Sequence, residues 1–148
     1  KFDSPGLSPE EACKVMARSC DIYAGIFGPR YGFLVPTLGV SATEMEYREA
    51  RASDPGKVFI YIQDSETLDA DQERFLEEVQ SFSSGYFRHG KFANCIDLKQ
   101  QMQRDVITWT TRKVREALKK HIELCALRDK VAHMSRVMEL YGVPEELR

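Results

Sequence analysis

Asp21-Ile22-Tyr23-Ala24-Gly25-Ile26-Phe27-Gly28-Pro29-Arg30-Tyr31-Gly32 decides the fold class. After the aspartate the run is apolar and rich in β-branched and aromatic residues, and Gly28-Pro29 stops it. A short run of that kind reads as a buried strand of a parallel sheet. Gly28 to Gly32 is a turn, and the loop continues through Pro36 and Gly39. Upstream, Ser8-Pro9-Glu10-Glu11 starts a helix: Ser8 caps, Pro9 suits the first helical position, and Glu11 completes a capping box. Ala12, Val15, Met16 and Ser19 follow at helical spacing, so this helix runs to about Cys20. Downstream, Ser41-Ala42-Thr43-Glu44 is a second capping box, opening a helix that Asp54-Pro55-Gly56 stops after Ser53. Lys57-Val58-Phe59-Ile60-Tyr61-Ile62 is a second strand.

Asp69 caps a third helix, with Phe75, Val79, Phe82 and Tyr86 on one stripe. A short strand is expected around Tyr86–Phe92, and Asp97 begins a helical stretch to about Tyr141. Alternating helices and strands argue for an open parallel α/β sheet with helices on both faces. Three strands are thin for such a sheet, so a first strand and helix are expected before Lys1. The last stretch, about 45 residues, would reach about 65 Å as one helix. It is expected to break or to leave the domain. Leu127, Val131, Met134, Met138 and Tyr141, spaced four, three, four, three, form a short a/d seam. That seam would be buried by a downstream domain, by a second copy, or by folding back.

The chain has 148 residues, 43% hydrophobic and 30% charged. That is the length and balance of one globular domain, and no apolar run approaches a bilayer span. We read residues 1–118 as the α/β domain and 119–148 as a helical extension or linker. Residues 1–96 carry a net charge of −5 and the rest +3, giving −2 overall. Neither part has the clustered basic face that nucleic acid requires. Cys13, Cys20, Cys95 and Cys125 form no C-x-x-C pair, which points to reduced thiols and a cytoplasmic protein. No signal or transit pattern follows Lys1.

Several chemistries are excluded. There is no P-loop, no G-x-G-x-x-G and no G-x-S-x-G elbow. His89, His121 and His133 are scattered, and His121 with Cys125 makes only two ligands, so no metal site or cofactor is expected. What remains is Gly28 to Ala50. In an open parallel sheet, ligands bind beyond the carboxyl ends of the strands, where the Gly28–Gly32 loop falls. The helix beginning at Ser41 points free N–H groups toward the same rim, and Arg30 can clamp a phosphate. Tyr31 and Phe33 can stack on a ring. A carboxylate at that rim, Glu44 or Glu46, can stabilise or attack the oxocarbenium-like centre formed when an N-glycosidic bond breaks. Thr43, Tyr47 and Ala50 form the packed stripe of this helix, flanked by the two glutamates. The competing reading is structural. Glu44 then only completes a cap, Glu46, Arg48, Glu49 and Arg51 are a solvated face, Arg30 pairs with a surface acid, and Tyr31 is a core aromatic.

Four segments together carry a resemblance: Ser8-Pro9-Glu10-Glu11-Ala12-Cys13, Cys20 to Gly32, Ser41-Ala42-Thr43-Glu44-Met45-Glu46-Tyr47-Arg48-Glu49-Ala50, and Gly56 to Ile62. Over roughly residues 8–115 the chain resembles the TIR-like domain of unknown function found at the front of large STAND-type ATPases, including NACHT and WD-repeat proteins. Phe92, Asp97-Leu98, Asp105 and Trp109 fit the closing helix of that domain. The resemblance implies a TIR- or flavodoxin-like fold and a role in intracellular signalling or defence. Its partners would be the other domains of a larger protein and further copies of itself. It also brings in two enzyme relatives, the TIR domains that hydrolyse NAD and the nucleoside deoxyribosyltransferases. Spacing to the following alanine assigns the TIR glutamate to Glu46 and the transferase nucleophile to Glu44. The transferase Asp-x-Gly-Thr loop is absent. Nothing before Ser8 supplies the strand and Ser-rich turn with which the family opens.

Two functions follow as expectations. The first is a signalling or interaction module that self-associates through residues 97–141. The second is a nucleotide N-glycosidase with NAD as substrate, in which Arg30 and the Ser41 helix end hold phosphate and Glu44 or Glu46 faces the ribose. A ligand sensor using the same pocket without turnover ranks third.

Overall fold

The computed structural model describes residues 6–81 and 91–142. The chain divides into two compact units, Lys1–Met102 and Gln103–Arg148.

In the first unit, helix α1 is Pro9–Ser19 and strand β1 is Tyr23–Phe27. A small hairpin, β2 (Leu34–Val35) and β3 (Val40–Ser41), leads into helix α2, Ala42–Ser53. A short 3₁₀ turn, Pro55–Lys57, precedes strand β4, Val58–Ile62, and helix α3 is Ala70–Gln80. Helix α4 runs from Cys95 to Leu140 and spans both units. Among the described residues no helix is long and apolar enough to cross a membrane.

β1 and β4 pair in parallel, with Tyr23 opposite Val58 and Phe27 opposite Ile62. Beyond β4, Phe92 makes a single parallel bridge to Gln63. Its N–H donates to the Ile62 carbonyl and its carbonyl accepts from the Asp64 N–H, both at 2.9 Å. That bridge is what the described residues hold of the expected third strand; residues 82–90, with Phe82 and Tyr86 of the expected helix stripe, lie outside them.

Side chains alternate across a strand, so Phe27, Val58, Ile60 and Ile62 share one face. There they pack with Ala17 of α1, Tyr47 and Ala50 of α2, and Phe75, Leu76 and Val79 of α3. The rings of Phe27, Tyr47 and Phe75 lie 5.0–6.0 Å apart in edge or tilted geometry. Each such buried side chain contributes roughly 1.5–3 kcal/mol, with a further increment of about 0.5–1.5 kcal/mol per ring pair. On the opposite face Ile26 is 49% exposed while Tyr61 is buried. Among the described residues α1, α2 and α3 all meet the core on one face.

Several local readings are corrected. β1 begins at Tyr23, where its pairing with β4 starts opposite Val58. Of the residues in and around the helical spacing of α1, Val15 and Met16 are close to half exposed, and Ala17 is the buried one. Lys57 belongs to the 3₁₀ turn rather than to β4. It is buried, and its Nζ donates to the Arg18 carbonyl at 2.6 Å, where Ser53 Oγ also donates at 3.2 Å. Those two contacts satisfy an open carbonyl at the end of α1. α4 begins at Cys95 rather than Asp97, because Asn94 Oδ1 accepts from the N–H groups of Ile96 and Asp97 and caps it there. From there α4 continues unbroken for 46 residues, none of them buried.

Candidate functional site

The loop after β1 is held from beneath. The Gly28 carbonyl accepts from Gln72 Nε2 at 2.7 Å, and Gln72 is buried. The Pro29 carbonyl accepts from the Asp69 N–H at 3.0 Å, and the Asp69 carboxylate accepts from the Tyr31 N–H at 3.0 Å. Asp69 occupies the capping position of α3, as expected, but its side chain makes no cap bond there. It fastens the loop to α3 instead. Gly32 has φ +87°, a conformation that a side chain disfavours. Arg30 and Phe33 are exposed, Phe33 at 73%.

Ser41 Oγ accepts from the Glu44 N–H at 3.1 Å, so the first half of the expected capping box forms. The Glu44 side chain is engaged elsewhere. One oxygen accepts from the Tyr31 hydroxyl at 2.5 Å, and the other meets the Arg48 guanidinium at 2.6 Å. Arg48 also reaches Glu78 on α3 at 3.1 Å. Glu44 is 3% exposed and Tyr31 6%. Burial, reinforced by the carboxylate that its hydroxyl meets, pushes the Tyr31 phenol above its ordinary range. The packed face of α2 is Glu44, Met45, Tyr47 and Ala50, whereas Thr43 is exposed, which corrects the expected stripe. A carboxylate sits on that face because a buried phenol and a half-exposed guanidinium meet both of its oxygens.

Glu46 lies two residues on and about 200° around the helix. It lines a cavity of about 210 Å³ with Cys13, Met16, Ala17 and Cys20 of the α1 region and Tyr23 of β1. The cavity is mostly apolar, with a carboxylate at its wall. Burial, then a hydrogen bond to Glu46, pushes the Cys13 thiol up. Burial, then the Glu46 charge, pushes the Tyr23 phenol up strongly. A second cavity, of about 220 Å³, is lined by Lys14, Leu38, Val40, Met45, Arg48 and Glu49.

The sequence-derived candidates therefore fall into three groups. Tyr31, Ser41 and Glu44 come together in the interior. Gly28, Arg30 and Gly32 belong to the loop above α3. Glu46 faces α1 and shares its cavity with none of them. Cys13, Cys20 and Tyr23 of that cavity, and Asp69 and Gln72 beneath the loop, are not singled out by sequence patterning. Their roles depend on which elements meet, and only the capping position of Asp69 carries any local signal. Among the described residues no group of three or more His, Cys, Asp or Glu is placed to hold a metal ion.

No curated protein and no solved structure matches the chain. One family model does match, over residues 1–107, which is most of the chain. The chain, with its loop pinned to α3 and its glutamate buried against Tyr31, belongs to the family described as domain of unknown function DUF4062.

Proposed function

We propose that this domain is a self-associating interaction module of a larger signalling or defence protein of the STAND type, and that α4 supplies the contact surface. The observation that carries this reading is the apolar surface of α4. Val114, Leu118, Ile122, Leu124, Leu127, Val131 and Met134 are each more than half exposed on a helix with no buried residue. Large apolar groups left in water favour association. The state of Glu44 supports it too, since a carboxylate with both oxygens engaged in the interior is poorly placed to meet a ribose.

The test is light scattering across a concentration series. The chain should shift from monomer to a larger species, and Val131→Asp should remain monomeric. A wild-type chain that stays monomeric throughout would refute self-association.

The second reading, a nucleotide N-glycosidase acting on NAD, has one favourable observation. Glu46 stands at the wall of a cavity. Arg30, the expected phosphate ligand, does not line it. We therefore rank this reading second and the passive sensor third.

A further inference from the structure

The apolar residues of α4 fall on two faces. At about 100° per residue, Ile107, Val114, Leu118, Ile122 and Cys125 lie within an arc of about 80°. Leu124, Leu127, Val131, Met134, Met138 and Tyr141 lie on the other side, about 200° around. The two rows overlap only near residue 124, so one straight partner helix cannot cover both. The second row has heptad spacing, with Leu124, Val131 and Met138 at a and Leu127, Met134 and Tyr141 at d. Leu124, Leu127, Val131 and Met134 are 55–64% exposed, and Tyr141 is 83% exposed.

Flanking charges discriminate between partners and orientations. The g positions are Glu123, Lys130 and Val137, and the e positions are Arg128 and Ser135. In a parallel pair of identical helices, a g residue meets the e residue five positions on in the other helix. Glu123 then faces Arg128 of the second copy, and symmetry makes this contact twice. Lys130 faces Ser135, so no like charges meet. An antiparallel pair centred between Leu127 and Val131 sets Arg128 against Arg128 and Lys130 against Lys130. One centred between Val131 and Met134 pairs no opposite charges, and one centred between Leu124 and Leu127 pairs Glu123 with Lys130 but sets Lys120 against Val131 inside the seam. Arg128 is available for the parallel contact: among the described residues its charged partner is the neighbouring Asp129 carboxylate, at 3.4 Å, and its side chain stays 77% exposed.

We propose that the second half of α4 pairs in parallel and in register with the same segment of a second copy, oriented by Glu123–Arg128 contacts. This rests on the self-association reading above and adds its geometry. A parallel pair brings the C-terminal ends of the two helices together, so whatever follows each copy would start from adjacent points.

The experiment is sedimentation equilibrium on the full chain and four variants, with circular dichroism to confirm unchanged helix content. Glu123→Arg and Arg128→Glu should each weaken dimerisation by about fivefold or more, since each loses two ion pairs and creates two like-charge contacts. The combined Glu123→Arg/Arg128→Glu variant should regain wild-type affinity. Met134→Lys should dissociate the dimer. Charge variants that leave affinity unchanged while Met134→Lys dissociates the dimer would overturn the parallel register yet leave self-association standing. A double variant no tighter than the singles would do the same. A wild-type chain that is monomeric at every concentration would overturn both.

Discussion

The Tyr31 hydroxyl donates to the Glu44 carboxylate at 2.5 Å, joining the loop after β1 to the first turn of α2 inside the core. Both side chains are buried, and Arg48 closes the arrangement from the surface side. The bond makes loop placement and helix placement one event, because neither group has water to fall back on. Tyr31→Phe keeps the ring and strands one carboxylate oxygen. It should cost about 1–3 kcal/mol, the penalty for a buried acceptor left without its donor. Urea denaturation of the two proteins measures this, and an unchanged midpoint would refute it.

The same contact predicts a dependence on alkaline pH. The Tyr31 phenol is pushed up in the folded chain, whereas an unfolded tyrosine titrates near about 10. Above that pH the unfolded state binds fewer protons than the folded one, so stability falls as pH rises. The contribution is fully present below about pH 10 and lost as pH climbs through the raised folded value. Tyr31→Phe should flatten this part of the stability curve, as read from denaturation midpoints between neutral and strongly alkaline pH.

Two glycines are constrained for different reasons. Gly32 has φ +87° with open space where a Cβ would stand, so Gly32→Ala meets only backbone strain, about 1–2 kcal/mol. Gly25 lies in β1, and a Cβ there would approach the Phe27 ring at 2.8 Å and Ile60 at 3.0 Å. Gly25→Ala must displace core side chains and should cost about 1–3 kcal/mol. Moving Phe27 disturbs its contacts with Tyr47 and Phe75, so Gly25→Ala should also broaden the near-ultraviolet aromatic signal while Gly32→Ala leaves it intact.

The four thiols should react unequally. Cys95 is exposed, whereas Cys13 is half-buried and held protonated by burial and by Glu46. The thiolate is the reactive form. Iodoacetamide at mildly alkaline pH should therefore label Cys95 first and Cys13 slowly, as peptide mass spectrometry resolves. Glu46→Gln removes the charge that opposes the thiolate and should speed Cys13 several-fold without changing Cys95. Equal rates at Cys13 in both proteins would show that the two side chains do not interact.

Elements whose signals lie within one turn are legible in the sequence. Ser8 and Glu11 form their reciprocal box, and Ser41 accepts from the Glu44 N–H, because those contacts span three residues and need nothing from the rest of the fold. The β1–β4 pair is legible from two short apolar runs, although β1 buries only one face and leaves Ala24 and Ile26 exposed. The direction of each glutamate is not. Glu44 occupies a common capping position, and only a tyrosine thirteen residues away reveals that its carboxylate is drawn inward. Asp69 reads as a cap for the same reason and holds Tyr31 instead. α4 starts from Asn94 because a short asparagine side chain ahead of the helix can close its first turn.

The two glutamates can be separated by a single pair of substitutions. Glu44→Gln removes the charge that meets Arg48 and Tyr31 in the interior, and should cost about 2 kcal/mol. Glu46→Gln alters a half-buried group at a cavity wall and should stay within about 0.5 kcal/mol of wild type. Stability therefore falls in the first variant and holds in the second. Incubation with NAD then tests the chemistry independently of folding. An interaction module releases no nicotinamide in any of the three proteins. Release by the wild type that Glu46→Gln abolishes at unchanged stability would make Glu46 the reacting carboxylate and overturn the ranking. Release lost only in Glu44→Gln, at a temperature where that variant remains folded, would move the chemistry to the buried network and require Tyr31 to open for the substrate to enter.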